Sequence, residues 1–148
     1  MDQTQKLLNE IIDNARMGAN SCAQLIKKTE DIQMREELRQ EQQIYEGAIL
    51  DAEKLLSATG AKPIPTPIPQ RMGAWMGMEI NTLMDKSASH IAEMTIQGAT
   101  MGVISLTKAR NAYPDADPQA HGIAAALIEK QQEAIDRLKS YLTETAVK

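Results

Sequence analysis

The sequence predicts an all-α protein, a four-helix bundle made of two antiparallel hairpins joined by a long proline-rich crossover. Three observations carry this. Apolar residues recur every three or four positions over four long stretches, which is the period of a helix and not of a strand. Aromatic residues make up only 3% of the chain and Phe is absent, while nine Met are present. That palette suits helix-on-helix packing, because β-sheets lean on aromatic and β-branched side chains. Finally, Pro63, Pro65, Pro67 and Pro69 alternate between the second and third stretches. At 148 residues the chain is expected to be a single helical domain, 1–148, with a real core.

The first helix is placed at roughly 4–28, on the stripe Leu8, Ile11, Ile12, Ala15, Gly18, Cys22, Leu25 and Ile26. Lys27 and Lys28 fall in its last turn, where cations suit the negative end of the helix dipole. Thr29 or Asp31 can cap the second helix, placed at 30–59, whose stripe is Met34, Leu38, Tyr45, Ala48, Ile49, Ala52, Leu55 and Leu56. Gly60 is its expected stop. A connection this short predicts an antiparallel hairpin.

Residues 61–70, AKPIPTPIPQ, forbid helix and central strand. Extended at ~3.1 Å per residue they reach roughly 30 Å, a large part of the ~40 Å length of such helices. A crossover along the side of a bundle needs that reach, and the flanking basic pattern of an SH3-type ligand is missing. A short extra helix is expected at 71–85, carrying Trp75, Met76, Ile80, Leu83 and Met84. An unbroken helix over 71–112 would be ~60 Å long, far beyond its partners, so a break is expected near 86–88. The next helix then runs over 88–112, before Tyr113-Pro114. Asp117-Pro118, an N-cap followed by proline at the first helical position, opens a last helix at 117–144. Its stripe is Ala124, Leu127, Ile128, Gln131, Ile135, Leu138 and Leu142.

Composition excludes several functions. The net charge of -4 has interspersed signs and no basic stripe, which argues against nucleic-acid binding. The 14 uncharged residues between Glu93 and Lys108 are too few and too polar to cross a bilayer. A polar, acidic start is no signal peptide, and the lone Cys22 suits a reducing compartment. The expectation is a cytoplasmic protein without membrane or nucleic-acid partners.

A shift of 80 residues lays the first helix over the third. Ile11 meets Ile91, Asp13 meets Glu93, Gly18-Ala19 meets Gly98-Ala99, and Lys28 meets Lys108. With the order hairpin, crossover, hairpin, the chain resembles the ferritin-like four-helix bundles, whose halves are related by a pseudo-twofold. The stretch DKSASHIAEMTIQGATMGVISLTKA, residues 85–109, is similar to segments of bacterial proteins of this kind. The resemblance implies single carboxylates on the first and third helices and a Glu-x-x-His on the second and fourth, which in such bundles hold iron. Here Asp13 and Glu93 match the single carboxylates, and Glu46 and Glu133 stand nearest the other two positions. Their third-along partners are Ile49 and Asp136, so the motif is degenerate and di-iron chemistry does not carry over.

His90 and Glu93 share one side of a helix in reversed order, as a metal or acid–base pair or as a plain hydrogen-bonded pair near the helix start. His121 is expected at the surface. Glu41 and Gln131, on or beside apolar stripes, are expected to join Tyr45 in a buried polar cluster that fixes register. The third helix reads as small or apolar nearly all round, so its second face, Ala92, Ile96, Ala99, Val103 and Leu106, together with Gly73 and Gly77, is expected to meet a cover. That cover is either the short helix or a second copy, and a homodimer or larger homo-oligomer follows. The favoured function is a non-enzymatic, oligomeric structural or interaction protein without a cofactor. The alternative is a divergent carboxylate-rich bundle binding iron or manganese through Asp13, Glu46, His90, Glu93 and Glu133, with a storage or oxidoreductase role.

Overall fold

Each long helix starts where a short oxygen-bearing side chain meets the onset of apolar periodicity. A computed structural model of the chain describes residues 2–62 and 80–144. Among them stand α1 (Gln3–Lys28), α2 (Ile32–Ala58), α3 (Ala88–Ala112) and α4 (Pro118–Leu138), then a 3₁₀ turn at Lys139–Tyr141. No strand occurs among the described residues. Asp2 opens α1 with a capping box to Gln5, while Asp31, Ser87 and Asp117 cap the other three. Past the end of α2, Gly60 has a positive φ of 83°, the left-handed turn that a side chain would resist. The expected crossover from residue 63 onward, the expected short helix up to residue 79, and Gly73 and Gly77 lie outside the described residues.

Two differences from the sequence reading have local causes. The last helix stops at Leu138 and not at 144. Its tail is held instead by Ser89 at the start of α3, whose Oγ donates to the Thr143 carbonyl at 3.1 Å and accepts from the Thr143 N–H at 2.9 Å. Leu142 is consequently left partly exposed. His121 is half-buried, not a free surface group. Its Nδ1 accepts from Arg110 Nε at 3.2 Å and its Nε2 lies 2.9 Å from the Tyr113 carbonyl, which ties the α3–α4 turn together. Both bonds form at once only on a neutral ring with its proton on Nε2.

Packing follows the two-hairpin order. The tightest pairs are α1 with α2 and α3 with α4, while α1–α3 and α2–α4 close the ring and the diagonals touch less. At one end, Gln3 and Thr4 side-chain oxygens accept from the Asp115 and Asp117 N–H groups, each at 2.8 Å, and Gln5 reaches Thr59 at 3.4 Å. At the other end, Arg137 meets Glu37, and Ser89 meets Thr143. Thus α1 and α4 run one way and α2 and α3 the other. The end of α2 and the start of α3 stand at opposite ends of the bundle.

The core is built from the predicted stripes of α1, α2 and α4 together with side chains of α3. Leu8, Ile11, Ile12, Leu25, Met34, Leu38, Leu56, Ile91, Leu106 and Leu138 are all buried, and Leu7 and Ile80 join them. Each such side chain contributes about 1.5–3 kcal/mol. α1 and α2 cross closely at Gly18, where an added Cβ would fall 2.5–2.7 Å from the Tyr45 ring. No helix among the described residues is long and apolar enough to cross a membrane.

Candidate functional site

The four helices bring a set of uncharged polar side chains to the centre of the bundle. On α1, Asn14 shares the inward face with Ile11 and Gly18, and it is buried. Its Nδ2 donates to the Gly102 carbonyl of α3 at 3.1 Å. Gln131 of α4 is 2% exposed, and its Nε2 donates to Asn14 Oδ1 at 3.3 Å and to the Tyr45 hydroxyl of α2 at 3.4 Å. All four helices thus meet in one network. A cavity of about 40 Å³ opens against it, lined by Gly18, Cys22, Thr95 and Gly98 as well as Asn14, Tyr45 and Gln131.

Electrostatics set what these groups can do. Burial pushes the Cys22 thiol and the Tyr45 phenol well above their ordinary values, with nearby Glu41 adding to both and a Gln131 hydrogen bond partly opposing the Tyr45 shift. Cys22 therefore stays a thiol and makes a poor nucleophile or metal ligand. Glu41, one turn before Tyr45, is buried, and its carboxyl is pushed up to about 7. Burial is the main cause, Arg137 opposes it, and Glu37 reinforces it. Arg137 bridges the two acids, 3.2 Å from Glu41 and 3.4 Å from Glu37.

The buried polar cluster expected from Glu41, Tyr45 and Gln131 is present, with one difference. Gln131 bonds Tyr45, while Glu41 turns to Arg137. Sequence reasoning passed over Asn14, although its place between Ile11 and Gly18 on one helical face was a readable signal. It also passed over Arg137, because a charged residue near a helix end reads as solvated. The α1 side chain that enters the centre is Asn14; its neighbour Asp13, the candidate ligand, is half-buried beside it.

The other candidates lie apart from this centre. Glu46, Glu93 and Glu133 are exposed. Glu133 pairs with Lys130 at 3.5 Å, and half-buried His90 meets Glu93 at 3.5 Å near the start of α3. Among the described residues no three His, Cys, Asp or Glu side chains converge in a manner that could hold a metal ion. The centre offers two amides, a phenol, a protonated thiol and one carboxylate already paired with an arginine. That donor set does not fit iron or manganese, which in such bundles take several carboxylates and imidazoles.

Of the face expected to seek a cover, Ala92, Ala99 and Leu106 are buried within the chain itself, and Ile96 and Val103 are half-buried. α3 is held by α1 on one side and α4 on the other. Its outward side includes Glu93, Gln97, Thr100, Ile104, Thr107, Lys108 and Asn111, with Ile104 its one large apolar side chain, 52% exposed. Around Ile104 a shallow groove runs between α1 and α3, lined by Glu10, Met101, Ser105, Lys108 and Tyr113. Comparison with known protein families, curated proteins and solved structures finds no match in any of the three.

Proposed function

We propose that the chain is a non-enzymatic bundle of ferritin-like architecture that works as an oligomeric structural or interaction protein. The observation that carries the reading is the chemistry of its centre. The resemblance would put ligands at Asp13, Glu46, Glu93 and Glu133, yet the groups at the centre are Asn14, Tyr45 and Gln131, which bond one another and backbone. A neutral network of this kind, tying all four helices together, fixes helix register. The architecture is supported by the helix directions, since α2 ends and α3 begins at opposite ends of the bundle, as a lengthwise crossover through the proline-rich segment requires.

The surface that supports association is the α1–α3 groove around Ile104. Exposed Glu10 and Lys108 both line it. Opposite charges on one patch make that patch self-complementary under a twofold axis, because Glu10 of each copy can face Lys108 of the other. A partner of this kind would cover Ile104 and half-buried Met101.

Elemental analysis of protein purified without chelator, joined to light scattering, tests the reading. Metal-free protein that is dimeric or larger, and that becomes monomeric in Ile104→Glu, is the expected result. Stoichiometric iron or manganese lost in Glu93→Ala would favour the metal-binding alternative, for which the His90–Glu93 pair is the supporting contact. A wild-type monomer at high micromolar concentration overturns the association.

A further inference from the structure

One polar atom of the central network has no partner among the described residues. Gln131 Oε1 is buried without a hydrogen bond, although the residue is 2% exposed and its Nε2 makes two. Leaving such an acceptor unmet costs about 1–3 kcal/mol, and native interiors rarely leave it so. A half-turn of the amide does not remove the problem. It exchanges an unmet acceptor for an unmet donor at the same place.

Gln131 also lines the cavity of about 40 Å³. The geometry points to a built-in site there for one water-sized, neutral hydrogen-bonding molecule, which in the cell is water itself. Size sets the first limit, since a water needs roughly 10–15 Å³ of such space and occupies about 30 Å³ in the liquid. The space thus admits molecules on the scale of water, and the unmet Gln131 atom anchors one of them. Charge sets the next limit: among the described residues the lining includes Asn14, Ser21, Cys22, Tyr45, Thr95 and Gln131 but no Asp, Glu, His, Lys or Arg. An ion would be desolvated without compensation. An apolar gas would leave the amide unmet.

Water meets every remaining demand. It donates to Gln131 Oε1, or accepts if the amide is turned. The Tyr45 hydroxyl accepts from Gln131 and still has a proton to give. The Thr95 hydroxyl donates to the Ile91 carbonyl at 2.8 Å and keeps lone pairs to accept with. Two to four partners are what a structural water takes.

Crystal structures of the wild type and of Gln131→Leu, at a resolution that shows ordered water, test this directly. The wild type is expected to show one round peak about 2.7–3.2 Å from the Gln131 amide, and the variant none. An empty cavity in the wild type overturns the proposal, as does elongated density or a peak that persists without the amide. If Gln131→Leu does not fold, Gln131→Met serves the same purpose. In solution, magnetic relaxation of water ¹⁷O should count one fewer long-lived internal water in the variant than in the wild type, and an unchanged count contradicts the site.

Discussion

Gly102 and Gly47 are both helical glycines, and the centre of the bundle makes them opposites. A Cβ on Gly102 would run into the Gln131 amide and lie 3.4 Å from Asn14 Oδ1, whereas one on Gly47 would meet nothing within 4 Å. Gly102→Ala must displace the amide that links α1, α2 and α4, and an overpacked core with a broken buried hydrogen bond costs about 2–3 kcal/mol. Gly47→Ala removes only the entropy penalty of glycine in a helix and should stabilise by about 0.5–1 kcal/mol. Urea denaturation midpoints should therefore move in opposite directions, and a shift of the same sign in both contradicts the packing. Glu41 sets a pH dependence. Its carboxyl, ordinarily near 4.5, is pushed up to about 7 in the fold, so the native state holds this proton more tightly than the unfolded chain. Stability is then full below about 4.5 and falls as pH rises toward 7, by an amount on the order of 2–3 kcal/mol. Glu41→Gln should flatten that part of the profile; an identical slope in the variant would assign the dependence to other groups.

At the scale of the element, the caps decide where helices begin and the tail contact decides where the last one ends. Ser89 is the only described side chain bonded to the Thr143 backbone, once as donor and once as acceptor. Ser89→Ala should loosen residues 139–144 and cost about 1 kcal/mol. Hydrogen exchange confined to the Thr143 amide and its neighbours would register the first effect, and unchanged protection there would refute it. The long helices were legible because their signals are local. A cap such as Asp31 and a stripe such as Met34, Leu38, Tyr45 and Ala52 lie within one element and need no partner to be read. The end of α4 was not legible, because the group that captures it sits 54 residues earlier on another helix. The same holds for the site. Gln131 and Glu41 announced themselves as polar residues on apolar stripes. That Glu41 meets Arg137 depends on how α2 lies against α4, which spacing along either helix does not state.

For the molecule as a whole, the deciding fact about α3 is how little of its apolar surface is left over. Ala92, Ala99 and Leu106 are already buried inside the chain, so the large apolar side chain that α3 leaves for a second copy to cover is Ile104 in its groove. Its Glu10 and Lys108 make a symmetric pairing testable by charge reversal. In a twofold dimer each single reversal, Glu10→Lys or Lys108→Glu, sets like charges against each other in two places. Exposed pairs contribute about 0–1 kcal/mol each, so two of them together weaken association by up to roughly thirtyfold. The double variant, Glu10→Lys with Lys108→Glu, restores the opposite-charge pairing and with it the affinity. Sedimentation equilibrium of the four proteins at low and moderate salt reads this out, with the differences shrinking as salt screens them. Recovery in the double variant requires that Glu10 of one copy faces Lys108 of the other. If the two reversals instead weaken association additively, the copies meet elsewhere, and the groove is not their interface.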